Sequence, residues 1–173
     1  VPGRLAPLGV WLKLLLGAPN TSGTSPDFTH TFTSGADTLP SLTLEKKLKD
    51  GAFLQLPGLM ANQLQVGLER GGNPRFTFGM LGTKESKLTS SAAGTPTQLT
   101  SPKVSNFQGS LKVDRGSGFS TFGLVTNFDF TWNNGLERIP EIGDGGVIQN
   151  IDPGAPALSG SYNVRFTNFD NYD

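Results

Sequence analysis

The chain has 173 residues, 14 basic and 14 acidic side chains, and no cysteine. The length suits one domain, which we expect to span residues 1–173. The lack of cysteine excludes disulfides, thiolate metal ligands and cysteine nucleophiles. Charged residues make up 16% of the chain, against about a quarter in a typical soluble domain, and abundant Gly and Pro without a short period indicate many turns.

The first predicted element is a helix over about residues 5–16. Leu5, Leu8, Leu12 and Leu15 fall on one face, and Gly17 is a typical C-terminal stop. A charged residue within this apolar run argues against a signal peptide, and the run is too short to span a bilayer. We therefore expect a helix that packs on the core and no membrane association. A polar loop over 19–26 is predicted to follow it.

Two predicted hairpins come next along the chain. In the first, alternating leucines from Leu42 to Leu48 precede the turn Asp50-Gly51, and 52–56 returns as the partner strand. In the second, alternating apolar residues over 64–68 and 76–80 flank a glycine-rich loop. This period of two is typical of strands with one face on a core and the other in solvent.

Residues 83–103 are rich in Ser, Thr, Ala, Gly and Pro and have few large apolar side chains. A loop of roughly twenty residues inside a compact domain is uncommon and is usually functional or disordered. Two interpretations stay open: a flexible surface loop, or an arm that becomes ordered against a neighbouring subunit. For the second, the candidate contact residues are Ser86, Lys87, Thr95 and Lys103.

A third hairpin is predicted around the turn Asp114–Gly118, followed by the longest alternating run of the chain. Apolar side chains occupy most of its even positions, from Phe122 to Trp132, and Asn134-Gly135 predicts a closing turn. Further strands are expected at 137–142 and 158–166. The whole pattern predicts a mainly β fold, an antiparallel β-sandwich or barrel of about eight strands with one short flanking α-helix.

The sequence offers little for catalysis. His30, the only histidine, lies in a strand-like run, where we expect a structural or surface role. No Gly-x-Ser-x-Gly elbow supports a Ser-His-Asp triad, the acidic residues are scattered, and Cys/His clusters for zinc are absent. The glycine-rich segment 143–146 lacks the lysine and the helix of a phosphate loop. We therefore predict that the protein is not an enzyme and needs no metal or cofactor.

Residues 41–168 resemble the phage tail tube proteins of long, non-contractile tails. The similar features, in the same order along the chain, are Leu42-Thr43-Leu44-Glu45-Lys46, the hairpin 62–80 with Phe78-Gly79-Met80-Leu81-Gly82, the motif Phe107-Gln108-Gly109-Ser110-Leu111, the strand Val125-Thr126-Asn127-Phe128-Asp129-Phe130, and Asn133-Asn134-Gly135-Leu136-Glu137.

The resemblance implies a structural virion protein that self-assembles. Subunits of this family close into hexameric rings, and the rings stack into a hollow tube that conducts phage DNA for ejection without sequence-specific binding. The implied partners are further copies of the chain and other tail proteins. The implied locations are the virion tail and, during assembly, the bacterial host cytoplasm. Because family members usually have further strands at the start, we expect this chain to be a fragment lacking the N-terminal part.

Charge suggests which surface faces the DNA. The predicted strand over 119–132 has no Lys or Arg, and its outward face is small and neutral or acidic. A DNA conduit should not bind phosphate tightly. We therefore hypothesise that Asn127, Asp129 and Thr131 face the lumen.

Charge also divides along the chain, because 116–164 contains one basic residue against five acidic ones. This split is either random or the sign of one basic and one acidic face suited to head-to-tail association.

An alternative function is a secreted β-sandwich module that binds carbohydrate or another ligand. Carbohydrate platforms usually expose Trp or Tyr, and the chain has only two of each. Binding to a glycan array would favour this alternative, whereas spontaneous tubes in electron micrographs would reject it.

Overall fold

The computed structural model describes residues 5–95, 97, 105, 110–114, 116–121, 124–140, 142, 143, 145, 147, 148 and 150–165. In these residues a single helix, α1 (Leu5–Leu16), precedes the strands. The strands are β1 (Asn20–Thr24), β2 (Asp27–Thr31), β3 (Ser41–Lys47), β4 (Phe53–Glu69), β5 (Arg75–Leu81), β6 (Ser86–Leu88), β7 (Lys112–Asp114), β8 (Phe119–Thr121), β9 (Leu124–Asn133), β10 (Glu137–Ile139), β11 (Asn150–Asp152) and β12 (Ala157–Arg165). The predicted mainly β, antiparallel fold with one short helix is confirmed.

Strand β4 is 17 residues long and organises a six-stranded sheet. Along one edge, β3 pairs with its first half and β9 with its second half, and β12 pairs with β9. Along the other edge, β5 pairs with the second half and β6 with the first. Met60 lies opposite Leu81, and Gln55, five residues before Met60, lies opposite Ser86, five residues after Leu81. Strand β6 therefore continues the register of β5.

Two register shifts interrupt the alternation of β4. One lies opposite the step from Leu42 to Leu44, at Pro57-Gly58, and the other at Asn62. Each bulge reverses which parity faces inward. Buried positions are accordingly odd before Asn62 and even after it: Leu59, Ala61, Leu64 and Val66. The sequence predicted two strands here, and this was wrong because the bulges break the period without ending the strand.

The core lies between α1 and the sheet. Leu14 and Leu15 of α1 pack with Ala61, Leu64 and Val66 of β4. Half-buried side chains from α1 and the flanking strands complete the layer: Trp11, Leu12, Leu16, Leu42, Leu68, Phe76, Phe78, Met80, Phe130 and Trp132. The predicted core-packing helix is thus confirmed. No helix in the described residues is long and apolar enough to cross a membrane.

Other segments differ from their predicted structure. Strand β1 occupies most of the predicted loop 19–26, and β6 lies within the predicted loop 83–103. The third hairpin is confined to β7 and β8, whereas β9 belongs to the main sheet. Polar or short strands of this kind lack the alternating apolar pattern on which the predictions rested.

Candidate functional site

The face of the main sheet opposite α1 is polar. We call it the polar face and define it by directly opposed residues, which project to the same side of an antiparallel sheet. One row across the strands is Ser159, Thr131, Gln65 and Thr77, and the next is Ser161, Asp129, Gly67 and Arg75. Asn127 stands opposite Glu69 and Asn163. The structure therefore brings all three predicted lumen residues onto one surface.

The charge of the polar face is low and mixed. Its centre carries two carboxylates, Glu69 and Asp129, and the guanidinium of Arg75. The Asn127 amide donates to Asp129 Oδ2 at 2.7 Å. The other carboxylate oxygen lies over Gly67, where a Cβ atom would approach it to 3.1 Å. A glycine here therefore lets the carboxylate lie flat on the sheet. This surface presents mainly neutral hydrogen-bonding groups.

Three outer edges of the main sheet have no strand partner among the described residues. They are the edge of β12, the edge of β3, and the edge of β5 continued by β6. Beside β12, Leu158 is 65% exposed and Tyr162 is 54% exposed. Both project to the side of α1, since they oppose Trp132 and Phe128. An open edge beside exposed apolar side chains favours pairing with another chain.

The β1–β2 hairpin is a second exposed surface. Its ten strand residues are all exposed, and within the described part of the chain their strand partners are each other. Phe28 is 54% exposed and stacks on His30. His30 is exposed, as expected for a structural or surface role, and its Nδ1 lies 2.8 Å from the Thr21 hydroxyl. Because an isolated two-stranded hairpin is marginally stable in water, this element is suited to a partner surface.

The four candidate contact residues of 83–103 differ in where they lie. Ser86 and Lys87 lie in β6, where Lys87 Nζ is 3.5 Å from Asp50 Oδ2. Thr95 is exposed beyond β6, and Lys103 lies outside the described residues. Residues 89–95, which we call the strap, fold back over the sheet. The Ser91 hydroxyl and the Ala92 amide donate to Glu45 of β3 at 2.5 and 2.8 Å.

Asn134 is a structural anchor that the sequence analysis missed. It is 8% exposed, and its side-chain amide donates to the carbonyl oxygens of Leu15 and Ala61 at 2.7 and 3.0 Å. Its Oδ1 accepts from Trp132 Nε1 at 2.8 Å. The predicted Asn-Gly turn concealed this role, because Asn is common both in turns and as a buried bridge.

In the described part of the chain, no group of three or more His, Cys, Asp or Glu side chains is close enough to hold a metal ion. The carboxylate of Glu45 accepts the hydrogen bonds that attach the strap to β3. Its hydrogen bonds from Ser91 and Ala92 lower the pKa of the carboxyl.

No curated protein matches the chain. A family model described as phage tail tube protein matches residues 1–173. The chain therefore belongs to the phage tail tube protein family.

Proposed function

We propose that the protein is a non-enzymatic structural subunit that closes into hexameric rings, which stack into the DNA-conducting tube of a phage tail. The observation that carries this proposal is a sheet with one polar face, an opposite face on which α1 packs, and edges at β12 and at β5 with β6 that have no strand partner among the described residues. Family membership supports the structural role. The assembled protein would belong to the virion tail, with assembly in the host cytoplasm and further tail proteins at the ends of the tube.

The directions of the strands allow copies of the chain to close into a ring. Across the order β12, β9, β4 and β5, each strand is antiparallel to the next. Strands β12 and β5 therefore run in opposite directions, and β12 of one copy can pair antiparallel with β5 of the next. Such head-to-tail contacts generate a ring when the rotation closes, and closure gives the edges of β12 and β5 a partner.

The polar face is suited to line the channel. With four strands from each of six copies and about 4.8 Å between strands, the wall would measure roughly 115 Å around before tilt. That bore admits duplex DNA. Asn127, Asp129 and Thr131 would face it, and their neutral or acidic character disfavours the release of counterions on which tight phosphate binding depends.

Stacking of rings requires contacts at other surfaces. The exposed β1–β2 hairpin, with Phe28 and His30, is our candidate for this role. A hairpin that projects from one copy gains stability when it packs against another.

The ring contact can be tested by cross-linking, because the chain has no cysteine of its own. Thr77→Cys in β5 is combined in turn with Ser159→Cys, Ser161→Cys or Asn163→Cys in β12, all of which face the same side. Directly opposed strand residues approach disulfide distance. We expect one of these pairs to give an oxidised ladder of dimers, trimers and higher species that ends at a closed ring in denaturing gels.

Each single-cysteine variant is the matched control and should stop at dimers. If none of the three pairs gives a ladder in assembled protein, β12 and β5 do not meet and the proposed closure is wrong. Electron microscopy of the same samples should show tubes, and samples that remain monomeric at high concentration would contradict the proposed function itself.

A further inference from the structure

The strap, residues 89–95, is attached to the sheet at Glu45. The carboxylate accepts from the Ser91 hydroxyl at 2.5 Å and from the Ala92 amide at 2.8 Å. Ser91 Oγ in turn accepts from the Ala93 amide at 3.2 Å. Hydrogen bonds to an ionised acceptor are about twice as strong as neutral ones. One side chain of β3 therefore holds a segment that follows it by more than forty residues.

Other support for the strap is weak. Its residues, from Thr89 to Thr95, are all exposed and include no large apolar side chain. A cavity of about 770 Å³ separates it from the sheet, lined by Thr43, Lys47, Phe53 and Gln55 as well as Glu45. The Lys87–Asp50 salt bridge of β6 is exposed on both sides, and exposed pairs contribute little.

Strand β6 pairs with β4 over a short stretch. It forms only three register pairs with β4, at residues 53–55, against the seven that β5 forms. Because it continues the register of β5, the two strands present one edge from Arg75 to Leu88. If β6 leaves β4, that edge ends at Leu81.

We propose that Glu45 is the catch that holds the strap and β6 in place, so that β5 and β6 offer one continuous edge to a strand of the adjoining copy. The occupant is a second copy of this chain, because its β12 edge runs in the direction that pairs antiparallel with β5 and β6. This inference rests on the proposed function for the identity of the partner. The attachment of the strap does not depend on it.

The catch should be sensitive to acid. Bound donors lower the pKa of Glu45, so a closed strap favours the ionised carboxylate. Strap closure is therefore fully stabilised above the ordinary glutamate pKa of about 4.3 and is lost as the pH falls through the lowered value. The groups facing Glu45 are Thr43 and Lys47 from β3 and Phe53 and Gln55 from β4. Lys47 Nζ lies over the Phe53 ring, 5.9 Å from its centroid.

Hydrogen exchange of the monomer tests the catch. Glu45→Ala removes both acceptors, and Glu45→Gln keeps the shape with one carbonyl oxygen and no charge. We expect exchange in 86–95 to rise on the order of tenfold for Glu45→Ala, less for Glu45→Gln, and not for Thr43→Ala, which lines the same cavity. Wild-type exchange, corrected for intrinsic rates, should rise in acid, and that of Glu45→Gln should not. Unchanged exchange in Glu45→Ala would overturn the catch.

Tube formation tests the edge. Glu45→Ala should slow assembly on the order of tenfold relative to Thr43→Ala at equal concentration, with unchanged thermal unfolding of the main sheet. If the strap opens in Glu45→Ala but assembly is unaffected, the continuous edge is not an interface. If wild-type protein forms no tubes, the proposed function fails, whereas exchange in the monomer still decides whether Glu45 holds the strap.

Discussion

Asn134 shows how one polar side chain can connect three parts of the fold. Its amide joins the end of α1 to β4, and its oxygen accepts from the Trp132 indole. Every partner is buried or half-buried, so water could not replace these hydrogen bonds if the Asn134 side chain were removed. A buried polar group with all its hydrogen bonds made fixes how its neighbours pack.

Asn134→Ala should lower the free energy of unfolding by about 2–4 kcal/mol, because it leaves two carbonyl oxygens and an indole N–H without partners. Denaturant unfolding measures the loss. Asn133→Ala is the matched control, since Asn133 accepts only from the Gly135 amide at the surface, and it should lose about 1 kcal/mol or less. Equal losses for the two variants would mean that Asn134 is no anchor.

Gly135 combines a backbone requirement with a close approach. Its φ is 64°, and a Cβ atom there would lie 2.8 Å from the Ala155 carbonyl oxygen. Gly71 has φ 83° but open space around it. Gly71→Ala should therefore cost about 1 kcal/mol from backbone strain alone. Gly135→Ala should cost roughly 1–3 kcal/mol more from overpacking, again by denaturant unfolding, and identical costs would rule out the clash.

At the scale of elements, α1 and β4 together make the core. The apolar side of α1 lies on β4, and Trp11 stacks on Phe78 of β5 with ring centroids 5.0 Å apart. The bulges of β4 let one strand pair with β3 and β6 at one end and with β5 and β9 at the other. Removing the helix contact should therefore destabilise the whole sheet.

Leu15→Ala should destabilise the protein by about 2–5 kcal/mol, because Leu15 is 1% exposed and its loss leaves a cavity. Val10→Ala, five residues earlier in the same helix and 56% exposed, should change stability by about 0.5 kcal/mol or less. Thermal unfolding of both variants separates packing from helix propensity. A small effect of Leu15→Ala would show that α1 does not contribute to the core.

For the whole molecule, the charge of the polar face should decide whether tubes bind DNA. Thr131 and Gln65 are directly opposed on that face, so Thr131→Lys with Gln65→Lys adds two cations per subunit facing the channel. Tubes of this variant should retain duplex DNA at low salt and release it as salt rises, measured by co-sedimentation, whereas wild-type tubes should not.

Thr131→Glu with Gln65→Glu is the control for this experiment. It places like charges at the same sites and carries the same assembly penalty, but it should not bind DNA. If the lysine tubes behave like the glutamate tubes, the polar face does not line the channel.

Local periodicity predicted the features that one helix or one strand shows in its own sequence. The spacing of apolar residues predicted α1, both faces of β9, and the surface shared by Asn127, Asp129 and Thr131. Each of these features repeats every two or about 3.6 residues, so it can be recognised without knowing the partner. The Asp50-Gly51 pair predicted a two-residue turn, but the chain reverses over three residues, because the Ala52 carbonyl accepts from the Leu48 amide and Gly51 has a positive φ whereas Asp50 does not.

The sequence by itself determined that the chain forms antiparallel strands with alternating faces, and its ordered motifs indicated the tail tube family. Only the tertiary structure decided that 53–69 is one bulged strand, that β6 extends the edge of β5, and that Glu45 holds Ser91. Asn134 reaches a carbonyl oxygen 119 residues away. Such contacts depend on which distant segments of the chain meet in the folded protein. A local period carries no information about which segments these are.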